Sequence, residues 1–189
     1  MNAPLKEQIR EHQRVIDAAA EQTDLLERIA RRIIDGFQRG GRLFVLGNGG
    51  SAADAQHIAA ELVGRFKRDR RALPAVALTT DTSVLTAVTN DLGGEQCFAR
   101  QVEALVGEHD VVWALSVSGR SPNVLKAMEA AKSKRAERIG FTGRNGGPLI
   151  EWCDLCFVAD HTDSDRVQEA HQLAYHLVCD LIERHYGRE

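Results

Sequence analysis

Five short apolar runs punctuate the chain: Leu43–Leu46, Ala75–Leu78, Val111–Leu115, Ile139–Phe141 and Leu155–Val158. None is long enough to be a helix, and each is apolar at consecutive positions, as in a strand buried on both faces. Between them lie stretches with helical spacing at about 51–66, 83–89, 95–105, 121–133, 147–152 and 166–186. Parallel neighbours need crossover connections, and helices that serve as crossovers cover both faces of the sheet. The alternation predicts a three-layer α/β fold with a five-stranded parallel sheet flanked by helices.

The first forty residues break this rhythm. Leu5, Ile9, Val15, Ile16 and Ala19 recur at helical spacing, as do Leu25, Leu26, Ile29, Ile33 and Phe37, so residues 5–39 read as two helices. Asp24 with Glu27 resembles a capping box for the second, and Gly40-Gly41 ends it. The two helices bring no strand, and a neighbouring subunit is the expected cover for their apolar stripes. No repeat, low-complexity segment or linker divides the 189 residues. One domain, 1–189, is expected, with 1–40 a helical oligomerisation segment and 41–189 an α/β sandwich.

Composition narrows the function classes. With 43% apolar and 27% charged residues the chain reads as globular. A net charge of −3 and only 5% aromatics argue against an extended nucleic-acid surface or stacking platform. No apolar run could cross a bilayer, and Met1–Glu7 has no apolar signal core, so a cytoplasmic protein without membrane or nucleic-acid partners is expected. Cys97, Cys153, Cys156 and Cys179 do not make a disulfide scaffold. A C-x-x-C site at Cys153 and Cys156 is set aside: there is no second pair, and strand alternation should point the two thiols to opposite or unrelated faces.

In open parallel sheets ligands bind beyond the strands' C-terminal ends, where strand order reverses. After the first run comes Gly47-Asn48-Gly49-Gly50-Ser51 at the mouth of a helix. It offers close backbone approach and an anion-binding helix end, or simply a tight turn with a Ser cap. It is neither a Walker A loop nor a G-x-G-x-x-G fingerprint. His57 and Glu61, four apart, share a helix face and form either a ligand or acid/base pair or a solvated ion pair. After the third run, Ser116-Val117-Ser118-Gly119-Arg120-Ser121-Pro122 suits a phosphate monoester, with Ser121 as N-cap and Pro122 in the first helical turn; a capped loop is the bland counterpart. Thr79–Thr82, Asn90 and Asp91 follow the second run and offer acceptors to sugar hydroxyls or serve as turn and cap groups. The last helix carries Gln168 and His176, about two turns apart, with a buried stripe expected at Val167, Leu173, Leu177, Val178 and Leu181. His57, Glu61, Gln168 and His176 form a metal set if their helices meet.

Together these stretches resemble the SIS (sugar isomerase) domain family, and within it the bacterial phosphoheptose isomerases. The matching segments are Gly47–Glu61, Leu78–Asp91, Phe98–Leu105, Ser116–Ser121, Phe141–Gly147 and Asp165–His176, in family order over almost the whole chain. The resemblance implies a flavodoxin-like sheet and a homotetramer whose active sites are shared between subunits. It implies interconversion of sedoheptulose 7-phosphate and D-glycero-D-manno-heptose 7-phosphate through an enediol(ate), toward lipopolysaccharide or surface-glycan heptose. It also implies a zinc ion held by His57, Glu61, Gln168 and His176, with Glu61 and His176 as base and acid. Substrate contacts carried over are Asn48, Gly49, Gly50, Ser51, Glu61, Asn90, Asp91, Ser116, Val117, Ser118, Ser121, Asp165 and Gln168, with Arg65 nearby. The loop departs from the usual S-T-S-G-N-S: Val117 replaces a hydroxyl and Arg120 an Asn. Two rivals remain: a non-catalytic SIS regulator that binds a replication initiator, and a SIS isomerase of another sugar phosphate. The complete His57, Glu61 and His176 set favours an enzyme.

Overall fold

A computed structural model describes residues 2–187. Five strands, β1 (Leu43–Gly47), β2 (Ala75–Ala77), β3 (Val111–Ser116), β4 (Glu137–Thr142) and β5 (Leu155–Val158), form one parallel sheet in the order β2-β1-β3-β4-β5. The helices are α1 (Asn2–Ala20), α2 (Thr23–Gln38), α3 (Gly50–Val63), α4 (Thr82–Leu92), α5 (Ala99–Leu105), α6 (Pro122–Ser133), α7 (Leu149–Trp152) and α8 (Ser164–Tyr186). The expected flavodoxin-like three-layer fold is present. The segment expected as one helix at 95–105 is instead a 3₁₀ turn, Gly94–Gln96, followed by α5.

In β1 and β3 the consecutive apolar runs are explained by two cores, whereas in the edge strand β2 the middle residue, Val76, is 41% exposed, so burial on both faces does not hold there. Leu43 and Val45 of β1 point into the core built with α1, α2, α3 and α8, while Phe44 and Leu46 point into the core under α5 and α6. On the first side Phe141 of β4 meets Trp113 of β3 edge-on and Phe157 of β5 at a tilt.

The leading helices differ in their burial. Leu26, Ile29, Ala30, Ile33 and Phe37 of α2 lie inside the chain's own first core, so that stripe is satisfied without a second subunit. Truncating Ile33 to Ala there would cost about 2–5 kcal/mol. On α1 only Val15 and Ala19 reach that core, whereas Leu5 and Ile9 remain 59% and 58% exposed. The capping-box reading of Asp24 is corrected: Gln22 occupies the cap position, and Asp24 lies inside the first turn. The Gln22 amide instead reaches the sheet edge, donating to the Val158 carbonyl at 2.8 Å and accepting from its N–H at 3.3 Å. It thereby caps part of the open edge at β5.

Two further expectations change. The buried face of α8 is Val167, Ala170, His171, Ala174, Tyr175, Val178, Cys179 and Ile182, while Leu177 is 41% exposed. Val167 and Val178 are thus buried as expected and Leu181 packs partly buried against the same core, while the exposed Leu177 is replaced by residues such as His171 and Tyr175. Cys153 and Cys156 are free thiols, but they converge, both crowding the side-chain-free face of Gly140. Cys153 precedes the strand and the backbone bends at Asp154, so strand alternation does not govern the pair. The Cys156 thiol and burial push the Cys153 thiol far up, the opposite of a reactive thiolate.

No helix among the described residues is long and apolar enough to cross a membrane.

Candidate active site

Strand order reverses between β1 and β3, and the two loops flagged by sequence leave these neighbouring strands at their C-terminal ends. The first loop turns at Gly49, whose φ of +55° lies in the region that favours glycine. The helix that follows begins at once, with Ser51 buried in its first turn. In the second loop Gly119 has φ +61°, and a Cβ there would strike the Gly146 carbonyl. The Ser116 and Ser121 hydroxyls lie 3.3 Å apart, and Ser118 Oγ accepts the Arg120 N–H at 3.2 Å. Val117 turns its side chain toward the first core and its carbonyl accepts from Gly143 N–H, so its own amide remains the group it offers the loop. Arg120 is exposed at the rim.

A side chain that sequence reading overlooked ties the loops together. The Asn123 and Asn48 amides exchange two hydrogen bonds of 2.9 Å each, and Asn123 also reaches Cys97 Sγ. Gln168 closes the same end: a Cβ on Gly50 would fall 2.5 Å from its Nε2, so only glycine admits it so closely. Asp165 is exposed and bonds Arg166 beside it. Asn90 and Asp91 bond each other on the exposed last turn of α4, a helix capped by Asp81 and without a buried residue. Arg65 is exposed. None of these last four joins the loops within this chain.

Further along, α3 and α8 run side by side and bring His57, Glu61 and His176 together. One ligand atom from each lies within 4.8 Å of the others. His57 Nε2 is 2.9 Å from Glu61 Oε1, and the His57 and His176 rings meet edge-on at 5.0 Å. Two imidazoles and a carboxylate are the donor set of catalytic zinc sites with an open position. Burial, helped by the His57 and Lys67 charges, holds the His176 imidazole below its ordinary value against the pull of Glu61. Gln168 stands two turns back along α8, about 12 Å of helix axis, against Gly50.

Behind the cluster stand groups that no sequence motif announced. Tyr175, fully buried, places its hydroxyl 2.9 Å from His57 Nδ1 and 3.4 Å from Asp54 Oδ1. The segment following α3 returns over His176: the Phe66 ring stacks on it at 5.4 Å and 10°. Glu183 anchors that segment, its buried carboxylate accepting the N–H groups of Phe66, Lys67 and Arg68 at 2.9, 2.6 and 2.9 Å. Burial alone would raise the Glu183 carboxyl, yet the three amides and Arg70 hold it below the usual range. Arg70 also donates to the Glu61 carbonyl at 2.5 Å.

A family model described as the SIS domain matches residues 8–143. The phosphoheptose isomerase of Roseiflexus sp. is 52% identical over 163 residues, covering 86% of this chain and 83% of the relative. That of Geobacter metallireducens is 49% identical over 185 residues, covering 97% and 98%. The chain belongs to the phosphoheptose isomerase family of SIS-domain proteins. The solved phosphoheptose isomerase structure from Neisseria gonorrhoeae, 37% identical, superposes with a TM-score of 0.91 over 96% of this chain and 97% of that one. The likeness extends over nearly the whole chain and so includes the two leading helices.

Proposed function

We propose that this chain is an aldose–ketose isomerase that interconverts sedoheptulose 7-phosphate and D-glycero-D-manno-heptose 7-phosphate, supplying heptose for lipopolysaccharide or surface glycans. The observation that carries it is the convergence of His57, Glu61 and His176 in a chain of this family that also carries two phosphate-ready loops. The reaction moves a proton between adjacent carbons through a cis-enediol(ate), which requires a base at the carbon and a group that manages the oxygens. Glu61 is the base and His176 the acid/base partner. His57, Glu61 and His176 would hold a zinc ion, whereas the expected fourth ligand, Gln168, stands against Gly50 two turns away and does not join them within this chain. Zinc supplies Lewis-acid polarisation of the carbonyl and hydroxyl oxygens. Asn48, Gly49, Gly50 and Ser51 offer backbone and amide contacts, and Ser116, Val117, Ser118 and Ser121 take the phosphate. Binding energy at that distant group orients the reacting carbons.

The site is completed by another subunit. Glu61 follows Gly50 by eleven residues of α3, about 16 Å of helix axis. That exceeds the span of a seven-carbon phosphate monoester, which supports a phosphate loop from one copy serving the acid/base cluster of a second. The unburied α4, carrying Asn90 and Asp91, and the open Leu5, Ile9 and Leu177 support assembly as a homotetramer.

A coupled assay with sedoheptulose 7-phosphate, with and without chelator, tests this reading. Turnover lost on chelation and restored by zinc is expected. No turnover in either state would overturn it in favour of a non-catalytic SIS protein or an isomerase of another sugar phosphate.

A further inference from the structure

Asp54 sits one turn before His57 on α3, and its Oδ2 is buried without a hydrogen-bond partner. The Tyr175 hydroxyl at Oδ1 is its side-chain hydrogen-bond donor among the described residues. A carboxylate only accepts, and a buried one with no donor is costly. The Tyr175 proton therefore belongs to Asp54. Its oxygen lone pair then faces His57 Nδ1 at 2.9 Å, which requires the proton on Nδ1 and leaves Nε2 bare. The opposite arrangement, Tyr175 donating to Nδ1 and Nε2–H donating to Glu61, would leave both Asp54 oxygens without a donor.

We infer that Asp54 and Tyr175 form a hydrogen-bonded relay that fixes His57 in the tautomer presenting its Nε2 lone pair to a divalent cation, which makes both of them positioning residues for the metal. The inference rests on the reading of His57, Glu61 and His176 as cation ligands and adds what prepares one of them. Tyr175 fits the task because its ring is locked: it is fully buried and meets the His57 ring edge-on at 5.5 Å. A ligand held in one tautomer and one orientation binds without reorganising, and losing such outer support costs about 10–100-fold in metal affinity.

The test is zinc affinity of the metal-stripped full-length protein, read by competition with a chelating dye, with the cobalt(II) visible spectrum as a second probe. Tyr175→Phe removes only the hydroxyl and is expected to weaken zinc about 10–100-fold. Asp54→Asn keeps the hydroxyl but can donate to it, reversing the relay, and is expected to weaken zinc comparably. The double variant should be no weaker than the worse single one, because both residues act through one chain of hydrogen bonds. Tyr186→Phe, ten residues beyond His176 on α8, whose hydroxyl donates to the Ile34 carbonyl at 3.5 Å, should bind like wild type. Melting of the metal-free proteins identifies a variant that fails to fold, and the other single variant then decides. Wild-type affinity in both single variants, or losses that multiply in the double, overturns the relay while leaving the metal reading intact. A wild-type protein that takes up no zinc overturns the metal reading and the relay with it.

Discussion

The Phe66 ring lies parallel to the His176 imidazole, 5.4 Å away, although Phe66 belongs to an irregular segment and His176 to the middle of α8. What holds the segment there is Glu183, two turns beyond His176 on the same helix. Glu183→Ala leaves three amides and the Arg70 guanidinium facing a buried void, at an expected cost of about 3–5 kcal/mol. Urea denaturation measures it. Glu183→Gln should retain more stability yet lower kcat more than it raises KM, since the slack reaches His176 rather than the phosphate loops.

Glu61→Gln keeps the shape of the cluster and removes the proposed base. Turnover should fall about 10²–10⁴-fold, and His176→Ala should fall within the same range. Circular dichroism and kinetics together check this. Near-wild-type turnover in both variants would remove the acid/base assignment.

Gly50→Ala places a Cβ 2.5 Å from Gln168 Nε2. The obstacle is the end of a flexible side chain, so the fold should survive with Gln168 displaced. The expected outcome is a small change in melting temperature with about a tenfold loss of kcat/KM, equivalent to one hydrogen bond of about 1.4 kcal/mol.

Stability should depend on acid through His171. Burial lowers its imidazole to about 4, although its ring bonds the Thr142 carbonyl. The unfolded chain takes up this proton near the ordinary value of 6.5, whereas the folded one resists it until about 4. Stability is therefore complete above pH 6.5 and falls as pH drops from there to 4, by about 3 kcal/mol from this group. Denaturant midpoints across that window should show the slope, and His171→Gln, though less stable overall, should show less of it.

Assembly is testable at α1. Leu5→Asp with Ile9→Asp alters two exposed apolar residues that the chain's own core does not use. Light scattering should report a smaller species, and activity should fall with it if the site is shared. An unchanged mass would take α1 out of the interface.

The central strands β1 and β3 were legible in the sequence because each fills two cores, which makes their runs apolar at every position. His57 and Glu61 were legible because a helix brings residues four apart together. Their meeting with His176 was not, since no local pattern states which faces of α3 and α8 touch. Glu183 and Asp180 look like the charged side of an amphipathic helix until the segment after α3 is laid over them. Asp54 and Tyr175 sat inside recognised stretches, but their roles come from distances between helices. Asn123 reads as an ordinary first-turn residue after Pro122, and only the approach of the β1 loop gives it a partner.

Helix α8 carries Gln168 against Gly50, Tyr175 and His176 at the cluster with His57 and Glu61, and Glu183 under the returning segment. All four depend on one unbroken helical phase. A single inserted residue between Gln168 and Tyr175 would rotate one end against the other by about 100°, so every downstream group would address the wrong neighbour at once. This stretch of the gene should therefore tolerate letter changes far better than changes of length.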